Sequence, residues 1–229
     1  METAGVNLTN KFYFIDESGD AGFYGKGRKL LTETGGFQPY LIIGVVETCN
    51  RQKLRKAIAK FIQKMKADVL YNSIYSFAES DWYLHARSDH PELRIQFFEF
   101  LRKLSGFIVH VVIAKKDLQT FQHQFNGNST AYYFHVLQCL LNKCLIRESH
   151  MHNLYLANCG NHGLTQLKNA VSHMELEGER FMLDMLLSSS SLELSVTDYM
   201  IWAVQRKLLK SESRYFDALK DKFGQIIEM

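Results

Sequence analysis

Proline is nearly absent: Pro39 and Pro91 are the only two in 229 residues. No proline-rich linker therefore divides the chain. Cysteine is sparse, with Cys49, Cys139, Cys144 and Cys159 showing no C-x-x-C pair. Neither a disulfide framework nor a paired-thiol redox motif is indicated. No run approaches the roughly 18 apolar residues that suggest a membrane helix. Met1-Glu2-Thr3-Ala4-Gly5 carries an acid and lacks the apolar stretch of a signal peptide. Together these absences predict a cytoplasmic protein with free thiols and no membrane partner. Charge of one sign does not dominate either, because the net charge is +3. What is present is ordinary globular composition, 46% hydrophobic and 22% charged. The length suits one domain, expected to span 1–229.

The chain opens with Phe12-Tyr13-Phe14-Ile15, a short aromatic run that reads as a buried strand. Gly19, Gly22, Gly25 and Gly27 then break the backbone into turns. Lys29 to Thr32 reads as a weak second strand and Tyr40 to Val46 as a strong third. Those three form an expected antiparallel meander. From Arg51 the period changes: Leu54, Ile58, Phe61, Ile62 and Met65 take helical spacing after Asn50, a suitable N-cap. Pro91 starts a second helix, which ends before Gly106. Residues 107–114 and 153–157 read as buried strands. A helix beginning near Ser129 or Thr130 lies between them, and its apolar stripe over 132–145 suits either core or a homodimer contact. A helix near 164–174, an ambiguous stretch over 175–194 and a helix over Thr197–Leu209 complete the chain. Alternating strands and helices give the α/β class. Insertions are expected near 68–104 and 159–194.

Ile15-Asp16-Glu17-Ser18-Gly19-Asp20 is the most informative stretch. A buried strand holds its terminal carboxylate rigidly, and a glycine turn folds further carboxylates back towards it. Clustered carboxylates repel and call for a cation, and hard oxygen donors suit Mg²⁺ or Mn²⁺. In phosphodiester chemistry such an ion activates water and stabilises the attacking and leaving oxygens. The plainer alternative is that Asp, Ser and Gly serve here as turn formers. An EF-hand loop and a Walker loop are both excluded by spacing.

Asp198 is the lone charge among Val196, Tyr199, Met200, Ile201 and Trp202. A carboxylate there is costly unless paired or metal-bound. Otherwise it is a first-turn aspartate behind a Thr197 cap. His85 suits acid–base work or a phosphate contact. Arg51, Lys53, Arg55, Lys56, Lys60, Lys64 and Lys66 have no acid between them. Lys53, Lys56, Lys60 and Lys64, with Lys26 and Arg28 of the glycine-rich loop, are candidate nucleic-acid contacts. His150, His152, Cys159 and His162 match no common zinc spacing.

These residues carry a family resemblance. Ile15 to Asp20 resembles the opening I-D-E-S-G-D of the uncharacterised bacterial and phage domain family numbered 3800. Trp82-Tyr83-Leu84-His85-Ala86 resembles its E-L-H-A segment, and Leu194 to Tyr199 its closing A-D-Y helix. The resemblance implies a ribonuclease H-like mixed sheet, a three-stranded antiparallel meander plus parallel strands, flanked by helices. It also implies a metal-dependent nuclease linked to mobile elements or phage defence. Asp16 and Asp198 would be the principal metal ligands. Glu17 and Asp20 would be candidates for a further ligand or base, and His85 an accessory. Tyr83, Ser195 and Asn158 stand where the family pattern favours polar or acidic groups, with Glu79 or Asp81 as possible replacements for the acid at Tyr83. The rival expectation is a binding module that has lost turnover and serves as a subunit of a defence complex. A third is an interaction protein using the aromatic residues of 68–90.

Overall fold

The computed structural model describes residues 9–74, 79, 81–145, 150–157, 165, 167–169 and 180–229. Its centre is a six-stranded mixed sheet in the order β5-β4-β1-β2-β3-β6. The strands are β1 (Thr9–Ser18), β2 (Tyr40–Thr48), β3 (Ile108–Lys115), β4 (His150–Ala157), β5 (Arg180–Leu186) and β6 (Phe223–Glu228). β1 and β2 are antiparallel, as are β2 and β3. The pairs β1–β4, β4–β5 and β3–β6 are parallel. This α/β arrangement is compatible with a ribonuclease H-like sheet.

The meander exists, but its members differ from the expected ones. Residues 31–34 form a single helical turn, α1 (Leu31–Thr34), closed by Gly35 at φ 79°. The third antiparallel strand is β3, reached through two long helices. The reason lies in β1: its two edges are taken by β2 and β4, so no partner remains for a strand at 29–32. Burial on both faces also explains why Phe12 to Ile15 is continuously apolar rather than alternating.

α2 (Arg51–Ala67), α3 (Pro91–Lys103), α6 (Leu192–Lys210) and the short α7 (Arg214–Ala218) cover one face of the sheet. α4 (Leu118–Phe125) and α5 (Ser129–Cys144) cover the other. Asn50 caps α2 by accepting from Lys53 N–H at 2.9 Å. α5 is capped by Asn128, one residue before the expected Ser129, through Ala131 N–H at 3.0 Å. Its stripe, including Tyr133, Val136, Leu137, Leu140 and Leu141, is buried in the core. Tyr71 is buried as well, while Tyr75 and Phe77 lie outside the described residues. Most of the helix expected near 164–174 also lies outside them. Among the described residues no helix is long and apolar enough to cross a membrane.

α6 lies unusually close to the sheet at Gly44. A Cβ built there would stand 2.3 Å from Ile201 Cγ2 and 3.2 Å from Thr197 Cγ2. Thr197 is not a cap: the helix begins five residues earlier, and its buried hydroxyl donates to Phe14 O at 3.0 Å. These two contacts fix α6 against β1 and β2 at the level of Asp16, which pairs with Gly44 across the ladder.

Candidate active site

Side chains alternate along a strand. Phe14 therefore faces the α6 layer while Tyr13 and Ile15 face α5. Asp16 follows Phe14 onto the α6 side, and Glu17 takes the other. Asp16 Oδ1 accepts from Glu17 N–H at 2.9 Å, leaving Oδ2 without a hydrogen bond among the described residues. Burial pushes the Asp16 carboxyl well above its ordinary range, and repulsion from Glu17 and then Asp198 pushes it further. Asp198 is 18% exposed. Burial raises its pKa too, against the pull of His85 and the Ala86 N–H, which donates to Oδ2 at 2.6 Å. The two acids thus converge from the central strand and the last long helix, each steadied by one backbone N–H.

Asp20 stands apart from this pair, and Glu17 is held from the α5 side. Glu17 Oε2 accepts from Tyr133 O–H at 3.2 Å, on the α5 side. Its pKa is raised by burial, with Tyr133 opposing and Asp20 adding to the rise. Asp20 is exposed, and its Oδ1 accepts from Gly22 N–H at 2.7 Å, the turn-forming role. The buried Lys116 ammonium donates to the carbonyls of Asp20 and Gly22 at 2.9 and 2.6 Å. Gly19 is required between these acids: its φ is 97°, and a Cβ would stand 2.4 Å from Tyr40 O.

The loop 82–90 closes the site from above. His85 Nδ1 accepts from Ser88 N–H at 3.4 Å, so a neutral ring carries its proton on Nε2, which stands 4.0 Å from Asp198 Oδ1. Tyr83 lies beside the acids; burial, then Asp198 and Asp16, raise its phenol pKa. Glu79 and Asp81 are exposed and make no hydrogen bond or ion pair to the site among the described residues. Ser195 turns its hydroxyl back to Leu192 O at 2.6 Å. Asn158 lies outside the described residues.

Asp89, which the sequence reading missed, holds this loop. It is 3% exposed and accepts from Trp82 Nε1–H at 3.1 Å, His85 N–H at 2.9 Å and the Tyr199 hydroxyl. Arg94 braces the same loop, donating to Ala86 O at 2.6 Å and Asp89 O at 2.7 Å. The signal was an indole, an aspartate and an arginine within 13 residues around His85, but their partners are set by the fold.

These elements enclose a cleft of about 340 Å³. Glu17, Asp198 and His85 line its floor. The second half of α6 forms one lip with Gln205, Arg206 and Lys210, and Arg87 forms the other. The expected contacts on α2 lie elsewhere. Lys53, Lys56, Lys60 and Lys64 are exposed, but Lys60 and Lys64 line a separate groove between α2 and α3. Lys53 lines a cleft beyond the far end of β2. Lys26 and Arg28 are exposed on the turn 26–28 and line neither lip. Arg51 is not a free cation: it pairs at 2.9 Å with Glu193, which is fully buried. His152 is buried against Tyr13 and Phe181, while Cys159 and His162 lie outside the described residues.

No protein-family model matches the chain, and no curated protein matches it either.

Among the described residues no three His, Cys, Asp or Glu side chains form a ready-made metal cluster. The donor set fits Mg²⁺ or Mn²⁺ of the sparsely liganded kind, in which one or two carboxylates act with water and substrate phosphate. Asp16 and Asp198 are hard oxygen donors that repel each other, and a cation between them would relieve that repulsion.

Proposed function

We propose that the chain is a divalent-metal-dependent nuclease or phosphodiesterase acting on nucleic acid. The observation that carries this reading is the pairing of buried Asp16 with Asp198, which with Glu17 lines a cleft that also carries Arg87, Arg206 and Lys210. An acidic floor below cationic lips suits a phosphodiester that must be gripped by its charge and cut beside a cation. Asp16 and Asp198 would hold Mg²⁺ or Mn²⁺, which would supply a polarised phosphoryl oxygen and an activated water. His85, held by Ser88 and Asp89, is placed to exchange a proton at Nε2. Glu17 sits on the floor with Tyr133 fixing its carboxylate, as a base candidate rather than a partner of the Asp16–Asp198 pair. The resemblance to the family numbered 3800 supports the same reading and extends it to phage defence.

The absence of a third ligand among the described residues favours one alternative, a nucleic-acid-binding or partner-binding subunit of a defence complex without turnover. Labelled single- and double-stranded DNA and RNA, incubated with Mg²⁺, Mn²⁺ or EDTA, separate the two. Cutting that needs metal and disappears in Asp16→Asn and Asp198→Asn supports the enzyme. Cutting that survives equally in both variants is a contaminant and removes the enzyme reading. Binding without cutting by any of these preparations establishes the alternative.

A further inference from the structure

We infer that Arg87 and Lys210 are the phosphate grip of the cleft, and that they take a single strand rather than a duplex. This rests on reading the Asp16–Asp198 pair as a phosphodiester site. Both residues are exposed, and neither has an ion pair among the described residues, so their charges are available to a ligand. The third cation of the lips, Arg206, is committed: its guanidinium donates to Glu212 Oε2 at 2.7 Å and lies 5.4 Å from the centre of the Trp202 ring. Arg87 stands on the braced loop and Lys210 on the last turn of α6, and both line the cleft that holds Asp198. A strand lying in the cleft therefore meets a free cation from each of two elements.

The rival surface is the α2 face, which carries more lysines but no acids to cut with. Lys53 follows Thr48, and Thr48 is four residues along β2 from Gly44, the partner of Asp16. Lys53 accordingly lines a different cleft, whereas Arg87 and Lys210 line the one that holds Asp198. Lys66, at the near end of α2, is held over the Trp82 ring at 5.2 Å. The preference for a single strand follows from size and depth. A cleft of about 340 Å³ is at the small end of ligand pockets, room for one nucleotide unit. Its acids are recessed, with Asp198 only 18% exposed. A phosphate in a stacked duplex reaches such a floor only if its nucleotide leaves the helix, whereas an unpaired strand enters without that cost.

The test is metal-free binding in an Asp198→Asn background with EDTA, which separates grip from turnover. The probes are a fluorescein-labelled oligothymidylate, the same strand annealed to oligoadenylate, and thymidine monophosphate. Arg87→Gln and Lys210→Gln should each weaken oligothymidylate binding by about tenfold, the loss expected of one charge-assisted hydrogen bond. Each should also lower the slope of log K against log salt by about 0.7, the value for one neutralised phosphate on a single strand. The duplex and the mononucleotide should bind more weakly than the strand. Both substitutions are at exposed positions, and unchanged melting temperatures show that the fold is kept. Full affinity and slope in both variants, with loss in Lys53→Gln and Lys56→Gln instead, assigns the grip to α2 and overturns the inference. Duplex binding as tight as the single strand overturns its second half. Binding that behaves as expected while the wild type fails to cut with metal removes the nuclease reading and leaves the grip standing.

Discussion

Replacing Gly44 by alanine tests whether the fold brings the two acids together by close approach of α6. The added Cβ would meet Ile201 Cγ2 at 2.3 Å, where carbon atoms settle at about 3.5–4.0 Å. Either α6 or β2 must therefore give by roughly 1.2 Å or more. Overpacking of this kind costs about 1–3 kcal/mol. At roughly 2–4 °C per kcal/mol for a chain of this size, the melting temperature should fall by about 2–12 °C. Asp198 rides on the displaced helix one residue from Thr197, while Asp16 stays with β1. A misplacement of about 1 Å in catalytic geometry can cost on the order of 100-fold in rate. Thermal melts by circular dichroism and metal-dependent cleavage of a single strand read the two effects. Adding Ile201→Ala removes the atom in conflict, so the double variant should be more stable than the sum of the singles by about 0.5–3 kcal/mol. If Gly44→Ala melts with the wild type and shows no coupling to Ile201→Ala, the close packing of α6 on β2 does not control the site.

Three further outcomes are expected. Without metal, Asp16→Asn should raise the melting temperature, because burial and repulsion disfavour the charged Asp16. Its folded pKa lies above the unfolded one, as does that of Asp198, so the folded state binds more protons in that window. Wild-type stability should therefore fall as pH rises through the raised titrations and recover on acidification, with a flatter profile in Asp16→Asn. Added Mn²⁺ should stabilise the wild type but not the variant, and melts across pH and metal concentration check both points. Asp89→Ala removes the acceptor of three hydrogen bonds in a buried position and should cost about 3 kcal/mol by urea unfolding, against about 1 kcal/mol for Tyr199→Phe. Glu193→Ala strips the buried partner of Arg51 and should cost about 3 kcal/mol, with an unchanged cost at high salt sinking any claim that it is a screened surface pair.

Much of the framework was legible because local pattern and tertiary role agree in it. The aromatic run before Asp16, the helix after Asn50 and the helix from Pro91 each carry their own signal, and each is present. β5 was hidden because Met182 and Leu186 add apolar residues to the alternation of Phe181, Leu183 and Met185, blurring its period. β6 was hidden for the opposite reason: Phe223 to Glu228 contains Gly224, Gln225 and an exposed Ile226, the composition of an edge strand. At the site, Asp16 and Asp198 were both named, the first by its strand and the second by its apolar surroundings. Their separation from Glu17 could be anticipated only as a choice, since alternation shows that neighbours diverge without showing which faces inward. Arg87 and Lys210 could not be read at all. Each is one basic residue among 27, and only the path of α6 and the bracing of the loop by Asp89 bring them to one opening.

The hydroxyl of Thr197 bonded to Phe14 O has a consequence for how such a protein can diversify. It ties the helix bearing one acid to the strand bearing the other, so the pair moves as one rigid unit. The segment with His85 and Arg87 is fastened to the same helix, through Ala86 on Asp198 and Asp89 on Tyr199, and is braced by Arg94. Exposed positions of that segment, such as Arg87 and Ser88, can then vary while the spacing of the acids is inherited intact. One helix is therefore the common anchor of the strand and of the loop.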